Sequence, residues 1–150
     1  MTHPLVTIRL TLKRLYAQEM SALMRSSGLT RMELDVLLFI ANNPGYDTAA
    51  EIVQLRALTK SHVSRAVDRL TDLGLIEQRR DDRNRRRVHL LLTPQAMPIV
   101  SEGKARQQRF TDILTAGLSA EDQKALERIM LTVSRNAMNA LAEEESAPHE

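Results

Sequence analysis

The sequence predicts a mainly α chain in which a helix–turn–helix is followed directly by a small β-hairpin, with long helices at both termini. Three observations predict this class. Apolar residues recur at spacings of three and four in several segments that open on helix-capping residues. Two short β-type runs, Leu75–Arg79 and Arg87–Leu92, flank the polar stretch Arg80-Asp81-Asp82-Arg83-Asn84-Arg85-Arg86. Finally, apolar stripes of helical period continue to both ends of the chain.

The first element is read from Leu5, Ile8, Leu12, Leu15, Tyr16, Met20, Leu23 and Met24, which keep helical spacing as far as Gly28. Thr30-Arg31-Met32-Glu33 and Thr48-Ala49-Ala50-Glu51 both have the capping-box form, in which a hydroxyl accepts the third amide and a glutamate reaches back. A helix begins at each. The first runs through Val36, Leu37 and Ile40 to the stop Asn42-Asn43-Pro44-Gly45, and the second is short, with Ile52, Val53 and Leu55 apolar. A third starts after Thr59, with Val63, Ala66, Val67 and Leu70 inward, Ser61, Ser64, Arg65 and Asp68 outward, and Gly74 as its stop. The hairpin follows. Thr93-Pro94 opens another helix, the hydroxyl capping and the proline taking the first position. Pro98 lies deeper and predicts a kink or a late start. The last helix follows Ser119 with Leu126, Ile129, Met130, Val133, Ala137 and Leu141. Residues 142–150 are acidic and contain Pro148, and are expected to fray.

At 150 residues the chain is one domain's worth. The absence of cysteine excludes disulfides, thiolate nucleophiles and cysteine-ligated zinc. No apolar run approaches the roughly 20 residues that cross a bilayer, and the start Met1-Thr2-His3-Pro4 has no basic leader, so a cytoplasmic protein without membrane contact is expected. The net charge of +2 is unevenly spread: Arg56 to Leu90 holds ten basic against five acidic residues, and the remainder is net acidic. Six of those arginines crowd into Arg79–Arg87. They would repel one another unless an anion with many oxygens accepted them, and a nucleic-acid backbone is such an anion.

The start of the helix after Thr59 suits a major groove, because a helix N-terminus offers side chains together with unpaired backbone donors. Lys60 and Arg65 suit phosphate or guanine acceptors, while Ser61, His62 and Ser64 are short or planar enough to approach base edges. Arg69 is expected either to contact the DNA backbone or to pair with Asp68 or Asp72. In the hairpin, Arg83 is expected to enter a narrow minor groove with Arg80, Arg85 and Arg86 on flanking phosphates and Asp81 orienting the wing as the buttress of Arg83 rather than as a DNA contact. Terminal apolar stripes are buried either by folding back on the core or by a partner chain, and of the two a homodimer is expected because it matches palindromic half-sites.

The stretch Leu70-Thr71-Asp72-Leu73-Gly74-Leu75-Ile76-Glu77-Gln78-Arg79, then Asp81-Asp82-Arg83-Asn84-Arg85-Arg86, then Val88-His89-Leu90-Leu91-Leu92-Thr93, resembles the winged-helix signature of the multiple-antibiotic-resistance regulator (MarR) family. Leu29-Thr30 before a helix and Ser64-Arg65-Ala66-Val67-Asp68-Arg69-Leu70 agree with it. The resemblance implies a dimeric, usually repressing winged-helix regulator of double-stranded DNA. It implies a dimerisation helix at 1–28, a winged helix-turn-helix at 29–92 and further dimerisation helices at 93–141. It also implies Lys60 to Arg65 as the start of the reading helix, with Asp81 and Arg83 as wing aspartate and minor-groove arginine. The chain departs from the family pattern at Arg56–Leu58, where a glycine-containing turn is usual, and at Ala96-Met97-Pro98, where a glycine is common. With no cysteine, the family's regulatory mode that remains is a small-molecule effector, for which Tyr16, Met20, Met24 and Met32 are the candidate lining.

No cofactor is expected. His62 between Ser61 and Ser64 lacks the glycine-rich elbow and oxyanion donors of a nucleophilic enzyme, and His3, His62, His89 and His149 are scattered rather than gathered for a metal. The alternative from another class is a winged-helix module that docks an acidic protein on its arginine hairpin.

Overall fold

The computed structural model describes residues 1–146. It forms two compact units, Met1–Thr111 and the segment from Asp112 onward. The first unit holds most of the elements. Helix α1, Pro4–Ser27, is capped by His3, whose Nδ1 accepts from the Leu5 amide, with Pro4 in the first turn. It ends at Gly28 in the left-handed region, φ 71°. Helix α2, Arg31–Asn42, and helix α3, Ala49–Arg56, each begin with a complete capping box, Thr30 with Glu33 and Thr48 with Glu51. Both sequence-predicted starts are therefore present.

Helix α3 ends at Ala57, the only non-glycine residue of positive φ among the described residues, at φ 50°. This is the turn in which the sequence lacks the usual glycine, and the backbone takes the glycine conformation regardless. Helix α4, Lys60–Asp72, follows Thr59, whose Oγ1 accepts from the His62 amide at 3.4 Å. Val63, Ala66, Val67 and Leu70 are its buried residues. Strands β1, Ile76–Arg80, and β2, Val88–Leu92, form a two-stranded antiparallel hairpin with Arg79 opposite His89 and Ile76 opposite Leu92.

The core of this unit joins α1, α2, α3, α4, the hairpin and the start of the next helix, with Met20, Leu34, Leu37, Ile52, Val63, Leu70, Ile76 and Leu90 all at or below 2% exposure. Leu90 also donates its amide to the Asp47 carbonyl at 2.7 Å, which ties β2 to the α2–α3 loop.

Two expectations are corrected after the hairpin. Thr93 does not cap a helix with its hydroxyl; Oγ1 is turned toward the α4–β1 turn, where it donates to the Gly74 carbonyl at 2.6 Å, and accepts from no amide of the following turn. Pro94–Ala96 is a 3-10 turn, and helix α5, Met97–Thr115, starts only beyond it. Pro98 thus lies in the first turn of α5, where its missing donor costs nothing, so the late start is the one of the two expected outcomes that occurs. Further along, Gly103 lets α5 lie against Leu38: a Cβ there would fall 2.5 Å from Leu38 Cδ2.

In the second unit, helix α6, Ala120–Ser146, is capped by Ser119, whose Oγ accepts from the Asp122 amide at 3.1 Å, with Glu121 and Asp122 in the first turn. The acidic tail expected over 142–150 is helical as far as Ser146, because Ala-Glu-Glu-Glu is a run of good helix formers; the rest of it, 147–150, lies outside the described residues.

Candidate nucleic-acid interface

The outward face of α4 is fixed by its inward one. With Val63, Ala66, Val67 and Leu70 locked in the core, Lys60, Ser61, His62, Ser64, Arg65 and Arg69 are all exposed. No acidic group lies in its first turn, so the positive end of the helix dipole is left uncompensated by a carboxylate of the same helix. Neither Asp68 nor Asp72 pairs with Arg69 among the described residues, so of the two expected fates of Arg69 the intrahelical pair is not formed.

The wing is ordered by two short side chains. Asp81 Oδ1 accepts the amides of Arg83 at 2.8 Å and Asn84 at 3.3 Å, and Asn84 Oδ1 accepts the amide of Arg86 at 3.2 Å. Two main-chain bonds close the loop, Asp81 N to the Arg87 carbonyl and Arg87 N to the Asn84 carbonyl, both 2.9 Å. Asp81 therefore shapes the turn that carries Arg83 by holding its backbone, and the guanidinium of Arg83 is left exposed. Arg80, Arg85 and Arg86 are likewise exposed and carry no ion pair among the described residues. These unneutralised cations, together with Lys60, Arg65 and Arg69 on α4, make a surface suited to polyanion oxygens.

Four residues that the sequence did not single out for this role tie the wing to the helices. Arg87 Nη2 meets Glu51 Oε1 of α3 at 2.9 Å, so the wing arginine nearest β2 is already neutralised. At Glu51 desolvation opposes ionisation but is outweighed by the Thr48 hydrogen bonds and then by Arg87, which together hold its carboxyl below the usual value. His89 of β2 lies between Asp47 and Asp81. Glu51 was legible only as a cap, and the His89 contacts carry no local signal because Asp47 is 42 residues away.

The four residues expected to line an effector pocket are not gathered around one cavity. Met20 is fully buried in the core, while Met24 packs partly buried against it. Tyr16 accepts from Gln107 Nε2 at 2.9 Å, meets Phe110 edge-on at 5.1 Å and carries the Arg31 guanidinium 4.2 Å above its ring. Met32 alone of the four borders the open cleft of about 270 Å³ that Thr30, Glu33, His62, Arg65 and Ala66 complete.

Residues 27–87 match the family model described as MarR family. No curated protein is matched. Among solved structures, the fold is similar to a protein described as a MarR-family transcriptional regulator of Listeria monocytogenes, complexed with 26mer DNA. That match has a TM-score of 0.87 and 16% identity, over 100% of this chain and 99% of that one. It is also similar to a MarR protein from Peptoclostridium difficile, TM-score 0.80 and 17% identity, over 95% and 93% of the two chains. A MarR transcriptional regulator from Methanosarcina mazei gives TM-score 0.75 and 15% identity, over 91% and 97%.

Proposed function

We propose, from the match of residues 27–87 to the MarR family model, that the protein is a winged-helix, sequence-specific DNA-binding transcriptional regulator of that family rather than an enzyme. The observation that carries this reading is the pairing of an exposed, cation-bearing α4 face with a wing in which Arg80, Arg83, Arg85 and Arg86 lack acid partners among the described residues, on a fold similar to a protein complexed with DNA. In this reading Lys60, Ser61, His62, Ser64, Arg65 and Arg69 face the major groove and its phosphates. Arg83 enters the minor groove while Arg80, Arg85 and Arg86 hold the flanking backbone.

The reading includes a homodimer, in which residues 1–28 and 93–141 supply the contacts. Leu5, Val6, Ile8 and Leu10 on α1 are 46–63% exposed, and Leu126, Ile129, Met130, Leu131 and Leu141 on α6 are 38–60% exposed. Apolar surface of this extent is covered at low cost by a second copy. Two readers related by a two-fold axis then meet half-sites about 10 base pairs apart, and occlusion of a promoter gives repression. Release by a small-molecule effector belongs to the same proposal. No helix of the described residues is long and apolar enough to cross a membrane, which accords with work in the cytoplasm.

The test is fluorescence anisotropy on the DNA upstream of the protein's own gene against random duplex, titrated with salt. Preference for the upstream DNA, with log K falling against log salt at a slope of about −7 for roughly eight neutralised phosphates, is expected. Failure to bind either duplex at low salt overturns the reading and turns the wing toward an acidic protein partner.

A further inference from the structure

One cluster beside the wing has a chemistry that DNA contact alone does not require. His89 Nδ1 lies 2.7 Å from Asp47 Oδ1, and its Nε2 lies 3.1 Å from Asp81 Oδ2, with the three side chains 25–28% exposed. A neutral imidazole has one donor and one acceptor nitrogen, whereas an ionised carboxylate only accepts. Two carboxylates on the two nitrogens are satisfied together only by the doubly protonated ring.

The connections of the two carboxylates give the ring its reach. Asp47 sits in the α2–α3 loop, whose carbonyl at the same residue holds the Leu90 amide of β2. Asp81 opens the wing, and its other oxygen holds the amides of Arg83 and Asn84. The ring thus joins the helical scaffold to the carboxylate that shapes the arginine turn. The remaining charges around it are Arg79, its register partner across the hairpin, Glu77 two residues before Arg79 on the same face, and Arg87, which Glu51 of α3 neutralises. The unpaired wing cations Arg80, Arg83, Arg85 and Arg86 lie beyond.

We propose that His89 is a positioning residue for the wing: as an imidazolium it locks Asp81 to the α2–α3 loop and presents the Arg83 turn to DNA, and on losing its proton it releases that turn. The inference rests on the DNA-binding reading. Hydrogen bonds to Asp47, then to Asp81, hold the ring's pKa above the ordinary imidazole value against a smaller effect of desolvation. Asp81 is held below the usual carboxylate range, chiefly by His89 and then by the Arg83 amide. A raised histidine pKa makes the lock complete below the ordinary histidine value and lost as pH rises through the raised one. A depressed aspartate pKa keeps Asp81 ionised to a lower pH than an ordinary aspartate, so the acid limb lies apart from the alkaline one.

The experiment uses the full chain in two readouts. By NMR, both His89 ring nitrogens are expected to carry protons at low pH, and the Arg83 and Asn84 amides to shift with the same midpoint as the ring. Those amides stay still over that range in His89→Gln. By anisotropy on a random-sequence duplex at low salt, wild-type affinity is expected to fall about ten-fold across that midpoint, the change that one pKa unit of DNA-linked shift allows. His89→Gln binds at the wild-type high-pH level with a flat profile. Should His89→Gln fail to fold, Asp47→Asn tests the same lock from the scaffold side, lowering the ring's midpoint and the affinity at neutral pH. The proposal is overturned if the Arg83 and Asn84 amides ignore the ring's titration. It is equally overturned if the alkaline loss of affinity persists in His89→Gln. Amides that follow the ring in a protein that binds no duplex at any pH would uphold the lock and sink the DNA-binding reading instead.

Discussion

Asp81 commits both of its oxygens to order, one to the Arg83 and Asn84 amides and one to the His89 ring, and it pairs with no guanidinium among the described residues. Arg83 is therefore held by its backbone and free at its tip. Arg83→Ala is expected to leave the melting temperature within about 1 °C, since exposed surface substitutions of this kind are nearly neutral. Duplex affinity should drop, and the salt slope should become shallower by about one unit per arginine removed. Unchanged affinity in the variant would count against minor-groove insertion. The arginines themselves were legible in the sequence, because charge crowding is a local property. The ties that aim them were not: Asp47 and His89, or Glu51 and Arg87, meet across 42 and 36 residues, and neither pair follows from periodicity or capping chemistry.

At the scale of elements, capping residues were the most dependable guide. Thr30 with Glu33 and Thr48 with Glu51 start α2 and α3 where their spacing predicts, because both partners of a capping box lie within one turn. Thr93 failed as a cap for the opposite reason: its hydroxyl had a nonlocal choice, the Gly74 carbonyl, and took it. The methionine set does not surround one cavity among the described residues, because helical spacing alone does not tell a cavity wall from a packed core, and Met20 belongs to the core. The contact of α5 with α2 was equally invisible, although it rests on one glycine. Gly103→Ala is expected to destabilise the protein by about 1–3 kcal/mol, because Leu38, at 1% exposure, has no room to yield to a new methyl. Denaturant unfolding measures it, and a loss below about 0.5 kcal/mol would show that α5 and α2 adjust with ease.

For the whole molecule, the division of labour follows from where burial is concentrated. Among the described residues every buried apolar side chain lies in the first unit, and they hold α4 and the hairpin by their inner faces, leaving the outer faces to cations. The C-terminal unit is built otherwise. Helix α6 has 27 residues and none of them is buried in the single chain, so its order has no hydrophobic source within that helix's own chain surface. In the proposed homodimer such a helix is stabilised by mass action: each encounter with a second copy adds to the folded state what the isolated chain lacks, and dilution withdraws it. The melting temperature is expected to rise with the protein's own concentration, by roughly 2 °C for each ten-fold increase. A melting temperature indifferent to dilution would mean that α6 stands alone. Otherwise the amount of this protein in solution is itself a setting of its stability, and a scarce protein is also a softer one.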